Sequence, residues 1–258
     1  MIEIGDLPIR LRCDSSSFVQ LMEGHYAGFL SSSVEAFAAF DIELTPPGTK
    51  LGPEEVRVNW ADGQWLIEGE DFCAWWNPST ARGHIQQTTS VYALDCVLQV
   101  VHTLLLARRG GFLLCTSSVA HNGGAFLFSG ISDTGNATIF RSAPSGTVGL
   151  TDGISYVIRR GPEFSATGTP FQYERGLASE KLERPIKALY LLALGSNNKV
   201  EPIEGAAAAQ AVLESLVFFV RDPELVKLVF NSACDFVNRV PVRRVTCVRY
   251  ASIWELIV

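Results

Sequence analysis

The residues best placed to do chemistry lie between Gly130 and Thr138, in the stretch Gly-Ile-Ser-Asp-Thr-Gly-Asn-Ala-Thr. Gly130 and Gly135 keep the spacing of a phosphate-cradling loop, G-x-x-x-x-G-K-[ST], and Ser132 and Thr138 remain beside them. In such a loop the glycines let backbone N–H groups converge on phosphate oxygens, and the helix that follows adds its positive end. A lysine then neutralises the outer phosphates, and the next Ser or Thr holds Mg²⁺. Here the lysine position is Asn136, the metal-holding position is Ala137, and an anionic Asp133 stands inside the loop. The frame of the loop is kept and its charge complement is removed.

The flanking residues have to position this loop. Phe112 to Leu114 reads as a buried strand, Ser118 to Ala120 as a second short segment, and Asn122-Gly123-Gly124 as a tight turn into a strand from Ala125 to Ser129. The helical pattern that opens at Thr138 is short, because Pro144, Ser145 and Gly146 break it. Val148 to Leu150 predicts a strand that delivers Asp152 to the carboxyl edge of a sheet, where open α/β sheets place their ligands.

The run GGFLLCTSSVA (110–120) followed by GGAFLFSGISDTGNAT (123–138) resembles the catalytic domain of HPr kinase/phosphorylase and its relatives, which share the phosphoenolpyruvate carboxykinase-like fold. Members typically read GGLLLHASAV, then a strand and GxSGxGKST. The resemblance continues through Leu150-Thr-Asp152-Gly153, where the family has a strand ending in two acidic residues, and Gly168-Thr-Pro170-Phe171. It closes with Val240-Pro241-Val242 and Ile253-Trp254-Glu255, like the family's VPVYRL and VWE elements, and covers the last three fifths of the chain. It implies an ATP-dependent serine kinase with Mg²⁺, acting on a carrier protein or peptide. ATP and Mg²⁺ enter through the resemblance alone, and so does homo-oligomerisation. Asp152 is the remnant of the acidic pair, Gly153 replaces its second member, and Cys115 stands where the family has histidine.

The expected fold class is α/β (α+β overall). A small α+β module over residues 1–107 precedes an HPr kinase-like P-loop domain over 108–258, with a mixed sheet and flanking helices. In the first part Val56, Val58 and Trp60 alternate, Asp62-Gly63 supplies a turn, and Trp65 and Ile67 continue, which predicts a β-hairpin. Aromatic residues at strand spacing (Trp60, Trp65, Phe72, Trp75, Trp76) are expected in the core. Leu94, Val97, Leu98, Val101, Leu104 and Leu105 share one helical face, with Gly110-Gly111 ending that helix and His102 inside it as a partly buried side chain. Two further helices are expected over 206–220 and 224–239, separated by Asp222-Pro223, with an apolar tail from Ile253 docked on the core or on another subunit.

A net charge of −6 over 258 residues with no basic block excludes nucleic acid as a partner. Six cysteines without a C-x-x-C pair read as reduced thiols, and four scattered histidines give no metal site. The N-terminus lacks the apolar core of a signal peptide, and the apolar stretches are too short or too interrupted to span a bilayer, so the expectation is a cytoplasmic protein without membrane contact. Three functions are open from the residues together with the resemblance. The first is a pseudokinase-like binding or regulatory protein with a protein or peptide partner. The second is a working kinase or phosphorylase in which Thr138 reaches Mg²⁺ and a cation such as Arg159 replaces the missing lysine. The third is a structural subunit with a vestigial loop.

Overall fold

The computed structural model describes residues 1–130, 138–171, 179–249 and 253–257. The chain is α/β, with two mixed sheets and flanking helices. It divides into two compact units, one of residues 1–105 with 218–226 and one of 106–217 with 227–258.

The first unit is built on a seven-stranded sheet of β1 (Ile2–Ile4), β2 (Leu7–Cys13), β3 (Ala38–Leu44), β4 (Arg57–Ala61), β5 (Gln64–Gly69), β6 (Phe72–Asn77) and β7 (Arg82–Gln87), in the order β1-β2-β3-β7-β6-β5-β4. The predicted hairpin is β4–β5. Its turn residues Asp62 and Gly63 have φ of +51° and +77°, the left-handed pair that a two-residue turn between twisted strands requires. Period-2 alternation buries Val58, Trp65, Ile67, Phe72, Ala74, Trp76 and Ile85 on one face. The aromatic residues do not all join this core: Trp60 is 51% exposed and Trp75 40%. Trp75 falls on the opposite face, and Trp60 has the buried phase but sits on the edge strand, where its ring leans on Trp65 with centroids 4.8 Å apart and half of it stays exposed.

Helix α1 (Ser16–His25) starts at Ser15, whose hydroxyl accepts from the Phe18 amide. Tyr26 Oη donates to Asp95 at 2.7 Å, and His25 Nε2 lies 2.9 Å from the same carboxylate, which ties the end of α1 to α2 (Val91–Ala107). Leu94, Val97, Leu98, Val101 and Leu104 of α2 are fully buried as predicted. His102 is not partly but almost wholly buried, at 1% exposure, because apolar residues continue around the helix. Gly110 closes α2 with φ +71° while the Gly111 amide donates to Leu106.

The second unit carries a ten-stranded sheet. Its strands are β8 (Phe112–Cys115), β9 (Ser117–His121), β10 (Gly124–Ser129), β11 (Val148–Thr151), β12 (Ile154–Arg160), β13 (Glu163–Thr167), β14 (Glu183–Leu194), β15 (Lys199–Ile203), β16 (Leu216–Val217) and β17 (Val242–Cys247). The path runs β11-β9-β10-β14-β13-β12-β8-β16, with β17 pairing both β14 and β15. The long β14 divides its partners: residues 183–185 pair antiparallel with β13, and 186–194 pair parallel with β10 and β17. The expected helix over 206–220 is corrected. Helix α3 covers Gly205–Glu214 only, and Leu216-Val217 pairs antiparallel with Leu114-Leu113. Ser215 bonds back to the Ala211 carbonyl, and the bulky apolar run after it completes a sheet edge instead of another turn. Helix α4 (Pro223–Val237) starts at Asp222, whose side chain accepts from Leu225 N–H at 2.9 Å.

The tail packs on its own unit. Trp254, in the short helix α5 (Trp254–Ile257), stands edge-on to Phe128 and donates its indole N–H to the Ile139 carbonyl at 2.9 Å. Val119, Phe128, Ile139, Tyr190, Leu192 and Val245 complete the cluster around it. The segment 138–141 is thereby clamped to the face of the sheet. No helix among the described residues is long and apolar enough to cross a membrane.

Candidate functional site

The directions of the strands define the candidate site. β14 and β17 run parallel to β10, and β11 does too, because both pair antiparallel with β9. The carboxyl ends of β10, β11, β14 and β17 therefore share one edge with the start of β9. Gly130 and Asp152 both emerge there, each directly after its strand. The register places Thr151 opposite Ser118 and Ser118 opposite Leu127, so the ends of β10 and β11 lie two strand spacings, about 10 Å, apart.

Gly130 has φ +84°, and a Cβ there would meet the Leu192 carbonyl oxygen at 3.0 Å. The turn out of β10 thus needs glycine for its backbone conformation and for its closeness to β14. Thr138 is half-buried and opens the helical segment 138–141, its carbonyl accepting from both the amide (3.0 Å) and the hydroxyl (2.8 Å) of Ser142. Ser132, Gly135, Asn136 and Ala137, with Asp133, lie outside the described residues.

Asp152 is 2% exposed, in the bend between β11 and β12. Thr151 holds that bend: its hydroxyl accepts from the amides of Gly153 and Ile154 and donates to the Phe171 carbonyl, each at 3.3 Å. Cys115, exposed at the end of β8, pairs with Ile154 and so stands one strand from the Asp152 corner. Arg159 is five residues further along β12 than Ile154, about 17 Å at strand rise, and it pairs with Asp235 at 2.9 Å. Arg160 is held by Glu183, and Lys187 lies near the opposite end of β14, beside the start of β10.

One group at this edge was not singled out from the sequence. Thr116, Ser117 and Ser118 are 3%, 0% and 0% exposed, and none of their hydroxyl oxygens has a hydrogen-bond partner among the described residues. Around them Ser129 Oγ and Ser215 Oγ lie 2.9 Å apart, and Ser155 Oγ donates to the Thr116 carbonyl at 3.0 Å. Three hydroxyls in succession, interrupting the apolar run from Phe112 to Ala120, were the available signal. An unsatisfied buried hydroxyl costs about 1–3 kcal/mol, so Ser118→Ala is expected to raise the unfolding free energy by about 1 kcal/mol in a urea titration. A loss of stability instead would mean that this oxygen is hydrogen-bonded in solution.

Among the described residues this edge holds neutral hydroxyls, the Cys115 thiol and the buried Asp152 carboxylate, a set poor in the hard anionic oxygens that a divalent cation prefers. Among the described residues no group of three or more His, Cys, Asp or Glu could hold a metal ion. No protein-family model matches the sequence, and no curated protein matches it. Among solved structures, the Hpr(Ser) kinase/phosphatase from Coxiella burnetii is similar at a TM-score of 0.33 and 6% identity, covering 56% of this chain and 90% of that one, a distant likeness at the level of fold.

Proposed function

We propose that the second unit is a catalytically impaired relative of HPr kinase/phosphorylase, keeping a binding or regulatory role toward a protein or peptide partner. The observation that carries this reading is the Asp152 corner. The resemblance calls there for two carboxylates and a nearby histidine, and this chain has one buried carboxylate, a glycine without a side chain and the thiol of Cys115. One carboxylate cannot both hold a cation and take the proton of an attacking hydroxyl. In the loop, Asn136 neutralises no phosphate charge and Ala137 has no side-chain oxygen for a metal. These residues do not fit Mg²⁺-ATP. Losing one electrostatic contact of this kind typically costs about 10²-fold in rate or more. The kinase reading needs a substitute cation, and Arg159 is paired elsewhere.

Calorimetric titration with ATP, with Mg²⁺ and then with EDTA, tests the proposal. The expected result is no EDTA-sensitive binding by the wild type and a gain of Mg²⁺-dependent binding in Asn136→Lys/Ala137→Ser. Ligand at 100 times its dissociation constant would stabilise that variant by about 2.7 kcal/mol, readable as a thermal shift. Micromolar, EDTA-sensitive ATP binding by the wild type, with transfer of phosphate to a serine peptide, would overturn it.

A further inference from the structure

Strand β4 is an edge strand of the first unit, and its backbone is arranged for self-pairing. The two-residue turn Asp62-Gly63 makes Ala61 and Gln64 a hydrogen-bonded pair. Antiparallel ladders alternate, so Asn59 and Arg57 also bond to β5, through Leu66 and Glu68. The N–H and C=O groups of Val58 and Trp60 therefore point away from the sheet. Natural edges are usually blunted by proline, a bulge or an inward charge; β4 reads Arg-Val-Asn-Trp-Ala and has none of these at its two outward-bonding residues.

We propose that β4 pairs antiparallel with β4 of a second copy of this chain across a twofold axis at Asn59. In this register Val58 of each copy lies opposite Trp60 of the other, and all four outward groups of each strand are hydrogen-bonded. Shifting by two residues leaves Val58 or Trp60 facing itself and takes the other residue beyond the strand. The side chains agree with the backbone. Trp60, 51% exposed on the phase of the buried face, is covered by the second copy's Val58, extending one apolar surface across the axis. Arg57 lies opposite the second copy's Ala61 and beside its Asp62. Both charged residues are exposed and neither has a salt bridge among the described residues, so two complementary pairs flank the axis.

Light scattering after size exclusion, over a concentration series of the full chain, reads the oligomeric state. The expected result is a concentration-dependent dimer that weakens with added salt. Trp60→Lys and Arg57→Glu are each expected to raise the dimer dissociation constant about tenfold or more; the thermal midpoint of the monomer holds in Arg57→Glu, whereas Trp60→Lys also gives up the ring contact with Trp65. The register has its own readout. Asn59 faces its own copy as a non-hydrogen-bonded pair with Cα atoms about 4.5 Å apart, so Asn59→Cys gives a covalent dimer on mild oxidation beyond any wild-type background, and Ala61→Cys does not. A chain that stays monomeric throughout, one that crosslinks through Ala61→Cys and not Asn59→Cys, or a monomer that pairs β4 with a heterologous peptide overturns the proposal.

Discussion

Gly168→Ala is expected to lower the unfolding free energy of the second unit by about 3 kcal/mol or more, far beyond an ordinary glycine substitution. A Cβ at this position would overlap the backbone carbonyl oxygen of Glu180 and lie 2.8 Å from its carbonyl carbon, with the Leu150 carbonyl oxygen at 3.3 Å. Backbone atoms cannot rotate out of the way as a side chain tip can, so the two segments must separate. The hydrogen bonds show what moves with them. Gly168 N–H donates to Leu182, Thr169 N–H to Leu150, Thr169 Oγ1 to Ile154, and the Phe171 carbonyl accepts from Thr151. Segment 168–171 thus holds the corner that carries Asp152, and the substitution disturbs the candidate site along with the fold. Gly123→Ala is the control. Gly123 has φ +77° with nothing within 4 Å of an added Cβ, so only the backbone strain of about 1 kcal/mol is expected. Urea titrations of the two variants giving equal losses would show that the Glu180 contact does not constrain Gly168.

The features legible in the sequence are those set by local periodicity. The β4–β5 hairpin follows from Val58, Trp60, Trp65 and Ile67 alternating around Asp62-Gly63, and α2 follows from an apolar face recurring at helical spacing. The strand through Leu150 and the exit from Ser129 into Gly130 were legible for the same reason, so the Asp152 corner could be placed before any coordinates. Three things were not. Residues 216–220 are uniformly apolar, a pattern that a helix and a buried strand share, and only the pairing with β8 decides between them. Trp60 has a core residue's phase and an edge residue's exposure, because the number of strands beyond β4 is a property of the whole sheet. Thr116 to Ser118 have no periodic signature, and their lack of partners depends on what β10 and β11 bring alongside. Topology decides each of these, by joining residues distant in the chain.

His102 makes the first unit sensitive to acid, with a sign that burial dictates. The imidazole sits in α2 at 1% exposure, and loss of solvation pushes its pKa down from 6.5 to about 3. The folded chain therefore keeps His102 neutral where the unfolded chain protonates it. Above the unfolded value neither state binds the proton and stability is unaffected. As pH falls from 6.5 toward 3, the unfolded state binds more protons and stability declines, by at most about 1.4 kcal/mol per pH unit from this residue. Other groups also titrate in that window, so the test is the difference between wild type and His102→Gln in the slope of unfolding free energy against pH. Comparing slopes removes any constant cost of repacking the site. The variant is expected to lose stability less steeply between pH 6 and 4, by about 1 kcal/mol per unit or more. Parallel curves would show that the folded protein protonates His102 as readily as the unfolded chain does, and that α2 opens or water reaches the ring before unfolding.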